Sequence, residues 1–212
     1  MPKLRSSLAG FFLTVLFVGL LALLGPEEES LGANVRVVYL HGAWVLTAEI
    51  ALLGAALSGV AGLITRNERF HDWSAALGRT GLVFWLTYLP LSLWAMQSNW
   101  NGLFLAEPRF RLALSFTVAG LLLQAGLWVF NTGWLTSSAN ILFFIVLKIV
   151  FSTAANVMHP PPSPIFNSGN YAIIGFFLLL NVSAWVAALF LTRLLMGIQQ
   201  RTRPGRDRAA ES

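Results

Sequence analysis

Residues 171–191 have the sequence YAIIGFFLLLNVSAWVAALFL, a continuous apolar stretch that contains no charged residue. A helix of about 20 such residues is long enough to cross the hydrocarbon core of a bilayer. Comparable stretches, separated by charged, Gly-rich or Pro-rich segments, cover residues 8–24, 37–64, 82–96, 112–130 and 141–157. The sequence therefore predicts an all-α, polytopic membrane bundle of about six transmembrane helices, with the lipid bilayer as its surroundings.

The composition supports this class. Hydrophobic residues make up 56% of the chain and charged residues only 11%, whereas a soluble domain usually carries about 25% charged residues. There is no cysteine, which excludes disulfides, thiolate metal sites and thiol redox chemistry. The formal net charge is +5, but the basic residues flank apolar segments, so we expect no nucleic-acid partner.

The positions of the basic residues predict the orientation. Lys3 and Arg5 precede the first apolar stretch, three arginines lie in residues 65–79, and the tail is rich in arginine. Because cytoplasmic loops are enriched in Lys and Arg, both termini and the 65–79 segment are expected to be cytoplasmic. We expect one transmembrane domain over residues 1–196 and a basic, disordered cytoplasmic tail over residues 197–212.

Two histidines are candidates for ligand binding. His41 begins the second apolar stretch and His159 closes the fifth, and these helices run in opposite directions. Both imidazoles are therefore expected at the same outer level, where they could supply the two axial ligands of a haem iron. The alternative is that both side chains only anchor helix ends at the interface. His71, beside Asp72 in the charged 65–79 segment, is expected to be a solvated loop residue.

Two charged residues lie within apolar stretches. Glu49 is eight residues inward of His41, and Lys148 is eleven residues inward of His159, so their predicted depths are similar. Ionisable groups within membrane spans usually face the bundle and pair. We expect an ion pair between Glu49 and Lys148, with a proton or substrate path as the alternative. Among uncharged polar residues, Gln124, Asn140 and Asn181 are expected to form interhelical hydrogen bonds.

The order of these features resembles the cytochrome c assembly protein family, in particular the C subunit of the cytochrome c maturation system. That family has a Tyr-Ile-His motif at the start of its second helix, which residues 36–41 (RVVYLH) resemble. Met158-His159 resembles the second histidine region of the family. Residues 100–109 align with its tryptophan-rich outer loop. In this loop Trp100 and Arg109 are retained, Glu107 replaces an aspartate, and tryptophans are replaced by Leu103, Phe104 and Ala106.

The resemblance implies a haem-handling protein that is not an enzyme and has no catalytic residue. It implies haem as the cofactor, His41 and His159 as iron ligands, and Trp100, Phe104 and Arg109 as further haem contacts. A guanidinium such as that of Arg109 or Arg111 matches the propionate carboxylates of haem. The resemblance also implies a prokaryotic plasma (inner) membrane, other membrane assembly subunits and a haem acceptor protein.

Two other functions compete with this interpretation. A membrane cytochrome would use the same two histidines but keep its haem for electron transfer. A haem-free structural or transport subunit of a membrane complex would carry a decayed haem motif, which the altered tryptophan loop favours.

Overall fold

The computed structural model describes residues 2–155, 165–166 and 168–202. Within these ranges the chain forms helices and short connections and no strand, which confirms the all-α prediction. The helices are α1 (Pro2–Leu23), α2 (Val35–Thr65), α3 (Glu68–Trp100), α4 (Pro108–Phe130), α5 (Gly133–Ser152) and α6 (Tyr171–Thr202).

Five of these helices, namely α1, α2, α4, α5 and α6, are long and apolar enough to span a membrane. The exception is α3, which is long but less apolar, since it has charged residues in its first turns and Trp, Tyr and Pro residues later. It packs against α2, α4, α5 and α6. Because much of its surface therefore faces protein rather than lipid, α3 needs fewer aliphatic side chains than the helices around it.

The antiparallel pair of α2 and α3 forms the centre of the bundle. At one end the α-carbon of Gly62 lies so close to His71 that an added Cβ would be 2.6 Å from the imidazole Nδ1. At the other end the Asn34 side-chain amide donates to the backbone carbonyl of Ser98 over 2.9 Å. The two helices thus remain in contact over their whole lengths. Small residues on α2, among them Gly54, Gly59 and Gly62, permit this close approach.

Helices α1 and α6 pack antiparallel on one side of this pair. Leu4 near the start of α1 lies against Gly197 near the end of α6. The Gln199 side chain donates to Asp72 of α3 over 3.1 Å. The start of α1, the α2–α3 turn and the end of α6 therefore lie at the same end of the bundle, here called the terminal end. The opposite end, with the α1–α2 and α3–α4 connections, is called the distal end.

The prediction of a loop over residues 65–79 is wrong. Only two residues separate α2 from α3: Arg66 has a left-handed conformation with φ 56°, and Asn67 caps α3 by accepting a hydrogen bond from Arg69 N over 3.0 Å. The charges that suggested a loop instead occupy the first turns of α3. Charged side chains are tolerated there because a helix end at a membrane surface is hydrated.

The ends of α5 and α6 also differ from the prediction. Helix α5 begins at Gly133 and ends at Ser152, so His159 does not close it. His159 lies outside the residues that the structure describes. Helix α6 continues to Thr202, six residues into the predicted disordered tail over 197–212, whose residues 203–212 lie outside the described part of the chain.

Uncharged polar residues join the helices within the bundle. The buried amide of Asn140 accepts from Gln124 over 2.9 Å and donates to the backbone carbonyl of Ser74 over 2.9 Å. These bonds link α3, α4 and α5 and confirm the predicted role of Gln124 and Asn140. Asn181 instead donates to the Phe177 carbonyl of its own helix, so the predicted interhelical role of Asn181 is not observed.

Candidate functional site

A cavity of about 610 Å³ lies among α2, α3, the start of α4 and the end of α5. Its volume falls within the range of about 300–1,000 Å³ that is typical of small-molecule sites. It extends from the distal end, at Leu31 and Trp100, to the middle of the bundle, at Glu49 and Lys148. Apolar and aromatic side chains form most of its walls, with charged groups at both of its ends.

His41 is the imidazole of this cavity. It lies in the second turn of α2, is half-buried, and lines the cavity wall. Its ring centroid is 5.5 Å from that of Tyr88 on α3, at an interplanar angle of 50°. The helical pairing of α2 with α3 therefore holds this imidazole against an aromatic wall while leaving part of its ring towards the cavity.

Backbone and side-chain hydrogen bonds organise the loop between α1 and α2, which brings Leu31 to the cavity. The Glu28 carboxylate accepts hydrogen bonds from the Ser30 hydroxyl, from Ser30 N and from Leu31 N. The hydrogen bond from the Ser30 side chain, followed by those from the backbone, lowers the pKa of Glu28 below its usual value. Arg36 also pairs with Glu27 in this loop, at 3.4 Å. The distal rim on this side is thus fixed by local bonds.

The loop between α3 and α4 forms the other side of the rim. Helix α3 ends where Asn101 adopts a left-handed conformation with φ 54°. Helix α4 begins at Pro108, and the Glu107 carboxylate caps it by accepting from Phe110 N over 2.6 Å. A carboxylate in this position is also favoured by the positive end of the helix dipole. Glu107, which replaces the aspartate of the resembled loop motif, thus has a structural role here.

Two of the three residues assigned to haem contact in this loop line the cavity. Trp100 and Arg109 are both half-buried and both contribute to its wall. Phe104 contacts Trp100 edge-on, with ring centroids 5.8 Å apart, but its own side chain is 43% exposed and lies outside the cavity wall. Arg111 is exposed and also lies outside it. Of the two candidate arginines, only Arg109 thus faces the cavity.

The ion pair between Glu49 and Lys148 is confirmed. The Lys148 ammonium lies 2.8 Å from the Glu49 carboxylate and donates a hydrogen bond to it. The pair joins α2 to α5. Both side chains also line the cavity, at its deeper end. The sequence predicted the pair but not its exposure to a cavity.

Residues of α3 contribute most of the wall that sequence reasoning missed. Trp85, Tyr88, Ser92, Met96 and Asn99 all line the cavity. Their spacing of three or four residues is that of one helical face. The mixture of aromatic and polar residues on one face of α3 is the feature of the sequence that could have indicated this wall. That face becomes a cavity wall only because α3 packs against three other helices.

Some of the side chains that line the cavity are of the types that bind haem. One imidazole, one guanidinium and aromatic walls surround a cavity of suitable size, and haem iron is commonly held by histidine. Ser152, the last residue of α5, and Ala154 just after it also line the cavity. Throughout the described part of the chain, no cluster of three His, Asp or Glu residues could hold a bare metal ion.

His71 was predicted to be a solvated loop residue, and this prediction is wrong. It lies in the first turn of α3 and is only 5% exposed. Its Nδ1 lies 2.6 Å from the hydroxyl of Ser137 on α5, a side chain that is fully buried. His71 belongs to the terminal end of the bundle and is therefore separate from the cavity.

Comparisons with known proteins add no relationship. No protein family model matches the chain, and neither the curated proteins nor the solved structures contain a significant match.

Proposed function

We propose that this chain is a haem-handling membrane protein of cytochrome c assembly, which holds haem in the cavity beside His41. The observation that carries the proposal is convergence. His41 belongs to one motif of the family resemblance, and Trp100 and Arg109 belong to a second motif over residues 100–109. All three residues line one cavity of about 610 Å³.

Each residue has a distinct role in this proposal. The neutral imidazole of His41 would bind the haem iron. The indole of Trp100 offers an aromatic face to the porphyrin, and the guanidinium of Arg109 pairs with a propionate carboxylate. His159, outside the described residues, remains a proposed iron ligand. Bound haem would supply the iron and the carboxylates; the chain binds and orients it without making or breaking a bond.

The membrane arrangement is also part of the proposal. Helix α3 follows α2 along its whole length, which supports six crossings rather than five. Arg66 and Arg69 at the α2–α3 turn lie at the terminal end, together with Arg201 near the end of α6. By the positive-inside rule this end is cytoplasmic. The cavity then opens towards the outer face of a prokaryotic plasma membrane, where a haem acceptor protein or other assembly subunits would meet it.

A haem-free subunit of a membrane complex is the second candidate. The observation that favours it is the outward exposure of the α3–α4 loop, where Leu103, Phe104 and Leu105 are each at least 43% exposed. These side chains are free of the cavity wall and are suited to contact another membrane protein.

Haem titration of the reconstituted full chain tests the proposal. We expect saturable binding with a six-coordinate, low-spin absorption spectrum. His41→Ala should remove that spectrum, and added imidazole should partly restore it, because imidazole replaces the lost ligand. Arg109→Ala should weaken binding by about tenfold, the effect of losing one charge-assisted hydrogen bond.

Arg111→Ala is the matched control, since it removes the same side chain from an exposed position two residues away. It should leave haem affinity unchanged. Equal haem affinity of the wild-type, His41→Ala and Arg109→Ala proteins would exclude the proposed site and leave the haem-free subunit as the explanation.

A further inference from the structure

The deeper end of the cavity, here called its floor, is lined by charged side chains. It is formed by the Glu49–Lys148 ion pair, with 2.8 Å between the ammonium and the carboxylate. Glu49 lies eight residues, or about 12 Å at the rise of a helix, deeper than His41 along α2. A charged pair is therefore located well below the imidazole in the same cavity.

A purely structural ion pair in a membrane is expected to be enclosed by the helices that it joins. This pair is not enclosed: the Lys148 side chain is 49% exposed and that of Glu49 is 27% exposed. A lysine ammonium has three donors, and one of them is directed at Glu49. Lys148 can therefore keep its bond to Glu49 and still donate to an acceptor in the cavity.

The other charged groups of the cavity indicate what that acceptor is. Glu107 is engaged as the cap of α4, and Glu49 is engaged by Lys148. The cationic groups that line the cavity are Arg109, in the first turn of α4, and Lys148 at the floor. Aromatic side chains, among them Trp85 and Phe151, also line the cavity. An amphiphile with a flat apolar body and acidic groups matches this distribution.

We propose that Lys148 is a carboxylate-binding residue of the cavity, so that an acidic group of the ligand reaches down to the ion pair. This inference rests on the proposed function for the identity of the ligand as haem, which carries two propionates. It adds that one propionate is held at the cavity floor by Lys148, while Arg109 pairs with the other. Glu49 is then a competing carboxylate that shares the ammonium with the ligand.

The test compares haem with haem dimethyl ester, whose carboxylates are blocked, in titrations of the full chain reconstituted in lipid nanodiscs. The Lys148→Met and Glu49→Gln variants form a matched pair, because each breaks the same ion pair. Lys148→Met should weaken haem binding by about tenfold, since one charge-assisted bond is lost. Glu49→Gln should leave haem affinity unchanged or strengthen it by a few-fold, since a competing negative charge is removed.

Neither variant should change the affinity for the dimethyl ester. Lys148→Arg, which keeps the charge, should retain most of the preference for the free acid. A structural role of the pair predicts a different pattern, in which both single variants lose affinity for both compounds equally. That pattern, or an equal loss for acid and ester in Lys148→Met, would overturn the role of Lys148.

Failure of the proposed function has its own signature. If the wild-type protein binds neither haem nor its ester saturably, the haem assignment and this inference both fall. If it binds both compounds with equal affinity and loses both with His41→Ala, haem binding stands and only the role of Lys148 is lost. Size-exclusion profiles of each variant show whether lost binding reflects misfolding. The Glu49→Gln/Lys148→Met double variant is a second control, because it leaves no unpaired charge.

Discussion

At the scale of single residues, His71 and Ser137 show how the terminal end is held together. Their 2.6 Å hydrogen bond joins α3 to α5, and both side chains are buried. Gly62 on α2 leaves room for the imidazole, because an added Cβ would meet its ring. This polar contact therefore joins α3 to α5 and packs against α2, at a level that the cavity does not reach.

Removing this contact should affect stability and leave ligand binding unchanged. Ser137→Ala should lower the free energy of unfolding by about 1–3 kcal/mol, because the buried imidazole nitrogen loses its partner. The measurement is the thermal transition of the detergent-solubilised protein. Ser138→Ala is the control, since the Ser138 hydroxyl donates only to the Trp134 carbonyl of its own helix. Equal transition temperatures for the two variants would show that the His71–Ser137 bond contributes nothing.

At the scale of helices, α3 differs most from what the sequence alone suggests. Its first turns hold Glu68, Arg69, Asp72 and Arg79, which predicted a loop, and its later part is not apolar enough to qualify as a span by composition. Its pairing with α2 is nevertheless continuous from Gly62 to Asn34. A helix that follows a membrane-spanning neighbour along its whole length should cross the bilayer too.

Reporter fusions test this crossing. Fusions at Asn67 and after Arg201 should both report the cytoplasm, and a fusion at Gly102, between α3 and α4, should report the outside. An even number of crossings puts both termini on one side. If the Asn67 and Gly102 fusions report the same side, α3 does not cross, and the six-helix topology is wrong.

Apolar length predicted the existence of all six helices. Residue type predicted the Glu49–Lys148 pair and the interhelical role of Gln124 and Asn140, although not that these two side chains bond to each other. Helix ends were predicted less well. The beginning of α5 was missed because Ser137 and Asn140 are polar, yet they face other helices rather than water. Composition alone cannot distinguish a polar side chain that faces protein from one in a loop.

At the scale of the whole molecule, some residues of the candidate site could be predicted from the sequence and others could not. His41 and Arg109 were found by motif and lie on one cavity. The wall from α3 and the exposure of the ion pair to the cavity were not predictable, because both depend on how four helices pack. His159, the remaining predicted ligand, lies beyond the described end of α5.

The depth of the cavity floor has an electrical consequence. An energised membrane carries a potential that is negative inside, and moving one charge fully across it changes the free energy by about 2.3 kcal/mol per 100 mV. A carboxylate that descends from the outer face to Lys148 crosses part of this field in the unfavourable direction. The potential should therefore weaken haem binding and favour release towards the outer face.

In proteoliposomes of uniform orientation, a diffusion potential that is negative inside should lower the affinity for haem and leave that for its dimethyl ester unchanged. A cavity that opened towards the cytoplasm would reverse the sign of this effect, and a carboxylate that stayed at the distal rim would abolish it.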